Sequence, residues 1–132
     1  MKAIRAGLYA KLIADTALIS ELGGATAVYY SLAPQGTSRP YVIFFSAGGG
    51  PENIYPGDLT SERYLIKAVA DSLDTALDVD EACKAAIHGQ TLTVVGCTNI
   101  WTRRENDVSL VENSDDGALV FHEGGYYRIR VD

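Results

Sequence analysis

The residues with the greatest chemical reach in this chain are two histidines, two cysteines and a scatter of carboxylates. A histidine titrates near neutral pH and serves as acid, base or metal ligand when other groups stand at the right spacing. His88 has no such company. It falls in the last turn of an expected helix, where the helix dipole favours a partly charged ring. His122 sits near a glycine turn with no evident carboxylate partner, and reads the same way. Cys83 and Cys97 form no CxxC pair and lie at no ligand spacing from a histidine. Two buried free thiols are expected, consistent with a reducing cytoplasm during synthesis; a disulfide stays open, because sequence does not place two Cβ atoms. Glu112, Asp115 and Asp116 cluster in turn-forming sequence without the ligand spacing of a calcium loop, so they read as a solvated turn. Gly48-Gly49-Gly50 lacks the Lys-Ser/Thr and helix start of a phosphate loop. No nucleophile stands beside a base in a recognisable motif. The expectation is no catalytic, cofactor-binding or metal-ligating residue, no cofactor and no enzyme activity.

The elements that would position these residues alternate between helix and strand. In Lys2–Ala14, Ile4, Leu8 and Leu12 recur every four residues, the stripe of an amphipathic helix packed on a core. Asp15 or Thr16 is placed to cap a second short helix, Ala17–Leu22, which Gly23-Gly24 ends. Val28–Phe45 reads as a β-hairpin. Val28, Tyr30 and Leu32 alternate with Tyr29 and Ser31, a turn follows between Pro34 and Pro40, and Tyr41–Phe45 is apolar on both faces. Ala47–Leu59, with three consecutive glycines and two prolines, reads as a loop. A loop of this length that carries Ile54, Tyr55 and Leu59 suits docking against a partner.

Ser61–Ala70 alternates as a strand, with Tyr64, Ile66, Ala68 and Ala70 on one face and the mixed set Arg63, Leu65, Lys67 and Val69 on the other. Asp71 and Ser72 signal the start of a helix over Leu73–His88, stopped by Gly89. Its apolar sector comprises Leu73, Ala76, Leu77, Val79, Cys83, Ala86 and Ile87, and Asp80 intrudes on it without a sequence-level reason. The C-terminal third reads as β-structure. Thr91–Val95 alternates, Cys97–Glu105 carries Trp101 as its largest core candidate, and Asn106-Asp107 begins a turn. Ser109–Glu112 reads as a short strand and Asn113–Gly117 as a strong turn. Ala118–His122 and Tyr126–Val131 are expected to pair across Glu123-Gly124-Gly125, with Tyr127, Ile129 and Val131 inward and Arg128 and Arg130 outward. The sum is an α+β fold: a mostly antiparallel sheet of about five to seven strands, with two main helices packed on one face.

Length and composition agree. The 132 residues suit one domain over 1–132, ordinary for a globular protein at 47% hydrophobic and 21% charged. A formal net charge of −6 argues against a surface that grips nucleic acid. No apolar run approaches the ~20 residues needed to span a bilayer, and Lys11 and Asp15 interrupt what would be a signal-peptide core. No internal repeat is present.

Leu8-Tyr9, Leu22-Gly23-Gly24, Ala33-Pro34-Gln35-Gly36 and Pro40-Tyr41 occur in the order and setting seen in the tail-completion, or tail-terminator, proteins of long-tailed bacteriophages, which this chain resembles. The alanine-rich stretch from Ala76-Leu77 to Ile87-His88-Gly89 is similar to that family's second helix. The resemblance implies a structural virion protein of the tail and neck, assembled in the host cytoplasm. It implies a homo-oligomeric ring, hexameric in the family, between the tail-tube protein and a head–tail connector or stopper protein. Genomic DNA would pass through the lumen without sequence-specific binding, and no membrane is involved. The turn Ala33, Pro34, Gln35, Gly36, Pro40 and Tyr41 carries the family pattern. The loop Gly48, Gly49, Gly50, Pro51, Glu52, Asn53, Ile54, Tyr55, Pro56 and Gly57 is the expected partner contact. Two other functions remain compatible with the residues: a different neck component, such as a head–tail adaptor or stopper, and a small binding module whose Gly48–Gly57 loop captures a ligand or peptide.

Overall fold

Two side chains decide where helices begin. Asp15 Oδ1 accepts a hydrogen bond from the Leu18 amide at 2.9 Å, and Ser72 Oγ accepts from the Thr75 amide at 3.2 Å. Each satisfies a first-turn donor that has no partner within its helix. In the computed structural model, which describes residues 1–52 and 59–132, these caps open α2 (Thr16–Glu21) and α3 (Leu73–Ile87), preceded by α1 (Lys2–Ile13). The described strands are β1 (Val28–Tyr30), β2 (Tyr41–Pro51), β3 (Thr60–Ala70), β4 (Asn99–Asn113) and β5 (Leu119–Val131). They form one sheet in the order β1-β2-β3-β5-β4. Every neighbouring pair is antiparallel except β1 and β2. The fold is α+β, as the sequence pattern implies.

The helices lie on one face of the sheet and enclose a single apolar layer with it. Ile4, Leu8 and Leu12 of α1 meet Val79, Cys83 and Ile87 of α3 over Val42, Phe44, Ile66, Tyr127 and Ile129 of the sheet. Burying each large aliphatic chain contributes about 1.5–3 kcal/mol. Leu92 and Val94 join this core from an extended segment that belongs to no strand. That segment crosses α1 closely: a Cβ on Gly7 would stand 2.7 Å from the Thr93 carbonyl oxygen. The alternation over Thr91–Val95 thus marks burial against a helix and not a ladder.

Several expected turns are absent because the chain runs straight through them. Val28–Phe45 is not a hairpin: Val28 pairs with Val42 in parallel. Residues 31–40 cross over and return in the original direction, and Leu32 points to solvent instead of continuing the inward face. Within that crossover the family-pattern turn does form, with the Thr37 amide donating to Pro34 O at 3.1 Å and Gly36 at φ +82°. Positive φ at the third position is what a type II turn requires. Gly48, Gly49, Gly50 and Pro51 are not loop but the end of β2, and the ladder to β3 shifts register between Ser46 and Gly49. A Cβ at Gly49 would lie 2.3 Å from Ser61 O, so a residue without a side chain is needed there. The rest of the expected contact loop, Asn53 to Gly57, lies outside the described residues.

Asn106-Asp107 and Glu123-Gly124-Gly125 are likewise interior to β4 and β5, which make one long hairpin closed by the Asn113–Gly117 turn. Gly124 and Gly125 signal close approach, not reversal. A Cβ on Gly124 would meet Ile66 O at 2.4 Å, and one on Gly125 would meet Arg104 Nε at 2.4 Å. Trp101 is half-buried on the helix-free face and outside the core, while Leu73 and Leu77 are exposed on α3.

These alternatives separate cleanly by substitution. Alanine at a turn glycine in open space, such as Gly117 at φ +83°, costs about 1 kcal/mol of backbone strain, whereas Gly124→Ala within a packed ladder is expected to destabilise by about 2–3 kcal/mol through overpacking. A urea unfolding midpoint close to that of the parent chain would restore the hairpin reading of Glu123–Gly125.

Candidate assembly surface

Along β3, alternate side chains leave the core and form the second face of the sheet, which no helix among the described residues covers. At one end of it, Ile43, Val69 and Val120 make a small buried cluster, with Tyr29, Ala33, Tyr41 and Phe45 packed against them. The crossover lies over this end. The Ala33–Gly36 turn, Tyr41, Ile43, Lys67, Val69 and His122 line a groove of about 360 Å³. Burial lowers the pKa of the Lys67 ammonium from its usual value, an effect that Glu112 opposes. His122 does have a carboxylate partner, contrary to expectation. Its Nε2 lies 2.6 Å from Glu112 Oε1, across the β4–β5 hairpin. Sequence distance hid the pair, because only the register brings residues 112 and 122 to one face. Asp116 caps the hairpin turn by accepting from the Ala118 amide at 3.0 Å, which holds its carboxyl below the usual range together with the Ser114 hydroxyl.

The other end of the face is basic and aromatic. Arg63 of β3 stands directly opposite Arg128 of β5, and Arg128 directly opposite Arg103 of β4. Like charges in such cross-strand positions repel. Three features offset that repulsion. The Arg63 guanidinium lies 4.0 Å from the Tyr126 ring centroid, and Arg103 lies 3.9 Å from that of Trp101. Arg128 Nε donates to both Glu105 carboxylate oxygens at 3.1 and 3.2 Å. One row farther, Arg130 pairs with Glu52 at 2.6 Å. Among the described residues, neither Arg63 nor Arg103 has a carboxylate within ion-pairing distance. The acidic average of the chain therefore conceals a segregated basic surface. The outward direction of Arg128 and Arg130 is legible from alternation, but the row is not, since it depends on the register of three strands.

The far side of α3, across the core from this face, is acidic. α3 turns Ala76, Val79, Cys83 and Ala86 inward, and Asp74, Asp78 and Glu81 are exposed on its far side. Asp80, the apparent intruder on the apolar sector, is buried for a reason. Arg104 of β4 reaches it with two guanidinium nitrogens, at 2.8 and 2.9 Å, and also donates to Gly124 O at 2.7 Å. Such a fork-to-carboxylate pair is geometrically specific. His88 caps the end of α3, with Nδ1 accepting from the Arg104 amide at 2.9 Å. Burial pushes the Cys83 thiol up from its usual pKa; Cys97 is half-buried, and both are free.

No group of three or more His, Cys, Asp or Glu is placed to hold a metal ion among the described residues, and no helix there is long and apolar enough to cross a membrane. What the molecule offers is a basic row on the sheet and an acidic stripe on α3, on opposite sides of the core. Residues 6–131 match the family model described as tail completion protein gp17, and the chain belongs to that family. That family's description makes it a tail-completion protein, a structural protein of phage-type tails. Among solved structures, a chain of the virion of a native gene transfer agent particle has the same fold. It is 20% identical, with a TM-score of 0.77 over 96% of this chain and 92% of that one. A second solved structure, 13% identical, has a TM-score of 0.61 over 99% of this chain and 94% of that chain. No curated protein matches.

Two measurements check this geometry. Asp80→Ala removes the buried counter-charge of Arg104, leaving it only the exposed Asp107 carboxylate at 2.9 Å, and is expected to cost about 3 kcal/mol in urea unfolding. The pair Asp80→Leu with Arg104→Met is expected to recover most of that loss, because apolar groups of similar size replace both charges. In the folded protein, a thiol reagent is expected to modify Cys97 at least tenfold faster than Cys83, with both equal in denaturant. Equal native rates would show that α3 does not shield Cys83.

Proposed function

We propose that this protein forms a ring at the head-proximal end of a phage tail, where it ends growth of the tail tube and joins the tail to the head connector. The observation that carries this reading is the family match across residues 6–131, nearly the whole chain. The mechanism is steric and interfacial, without a reacting group. One rim of the ring fits the last ring of tube subunits. The other rim lacks the tube's self-complementary surface, so addition stops. A head-to-tail contact between identical subunits closes into a ring when its rotation divides a full turn, and the family's hexamer is the closed form proposed here. DNA passes through the lumen without sequence-specific contacts.

The segment Gly48–Gly57 is the proposed contact with the tube or with a neighbouring subunit. Its first part extends β2 past the three residues of β1, so the backbone of β2 there is paired on the β3 side alone among the described residues. Electron microscopy of purified tubes mixed with the chain tests the assignment. Rings at one end of each tube, with tube length unchanged on further addition of tube subunits, are the expected result. Attachment to connectors instead of tubes would make the chain an adaptor or stopper. Deleting Gly49–Pro56 is expected to abolish attachment, and undiminished attachment would remove the segment from the interface.

A further inference from the structure

The helix layer covers one face of the sheet, and the other face carries arginines that its own carboxylates only partly neutralise. The geometry points to a second copy of this chain as the occupant of that face: the Arg63–Arg128–Arg103 row of one subunit receives the Asp74, Asp78 and Glu81 stripe of α3 from the next. This inference rests on the ring proposed above and names its subunit contact.

The spacings match. Adjacent strands lie about 4.8 Å apart, so three arginines across three strands span about 10 Å. Asp74 to Glu81 is seven residues of helix, about 10 Å at 1.5 Å per residue. Successive turns of 100° put Asp74, Asp78 and Glu81 within about 60° of one another. They point directly away from the buried side of α3, and they carry no ion pair among the described residues. Stacking on Tyr126 and Trp101 holds Arg63 and Arg103 by their flat faces; Arg103 is exposed, and Arg63 is half-buried with Nε unpartnered among the described residues. A helix seated on a bare sheet face also repeats, between subunits, the layering that the subunit uses internally.

The sheet edges argue for the face as well. β4 is an outer strand of fifteen residues, but it is interrupted between Asn99 and Trp101 and again between Arg104 and Asn106, and it carries Arg103, Glu105, Asp107 and Glu112. Bulges and charges of this kind discourage edge-to-edge pairing. Because the two charged surfaces lie on opposite sides of the subunit, the contact is heterologous and propagates around a ring.

Charge reversal provides the test. Arg63→Glu with Arg103→Glu, at one half-buried and one exposed position, and separately Asp74→Arg with Asp78→Arg, both exposed, are checked for folding by thermal melting. Ring formation, followed by sedimentation and by electron microscopy with and without tail tubes, is expected to fall at least tenfold for each variant alone. Mixing the two variants is expected to restore rings in which they alternate, since every junction then joins opposite charges. Raised salt is expected to weaken the parent ring. Rings that survive both reversals, or that stay lost in the mixture, overturn the contact while leaving the ring itself standing. Intact rings with lost binding to a double-stranded oligonucleotide would give the arginine row to nucleic acid and also overturn it. A parent chain that forms no ring under any of these conditions overturns both readings.

Discussion

The Arg104–Asp80 ion pair ties together more of this structure than any apolar contact. It joins the last-added edge strand to the central helix across the core, at the point where β4 changes register. Because Arg104 turns inward to reach Asp80, its neighbour Arg103 must point outward, and Glu105 becomes the extra residue of the bulge. That places Arg103 and Glu105 together beside Arg128. The same guanidinium donates to Gly124 O and occupies the space where a side chain on residue 125 would go. A glycine at 125 in the middle of a strand, a buried acid on a helix and a basic row on the far face therefore follow from one side-chain placement. Whether a buried ion pair adds net stability is a separate matter: desolvation offsets much of its attraction, but its geometry excludes other registers of β4.

This interdependence explains what was legible in the sequence. The helices were readable because period and caps are local: Ile4, Leu8 and Leu12 share a face whatever else the chain does, and Ser72 caps α3 from one position away. The alternation of β3 and of the end of β5 was readable for the same reason. Errors arose wherever glycine or polar residues served distant contacts. Gly124 and Gly125 imitate a turn, yet their role is to admit β3 and Arg104. Gly48–Gly50 imitates a loop, yet it carries β2 past Ser61. Asn106-Asp107 imitates a turn, yet it follows a bulge. Each is a short-range signal with a long-range cause.

The same limit applied to charge. A net value of −6 argues against a surface that grips nucleic acid but does not locate the charges. Lys67, Arg63, Arg103, Arg128 and Arg130 nevertheless lie on one side, because the two-residue period of three strands sends every one of them away from the helices. Asp74, Asp78 and Glu81 lie on the other side through the 3.6-residue period of α3. Neither periodicity alone reveals that the two sets are opposed. Only the layering of helix on sheet converts two local patterns into a polar molecule.

A subunit with unlike faces is suited to ordered, directional assembly and poorly suited to symmetric pairing. Two copies that approach with the same face meet like charge. Copies in which the arginine row meets the α3 stripe of the next join opposite charges. Electrostatics of this kind set register and orientation more than affinity. For the terminating ring proposed above, control of orientation is the property that matters.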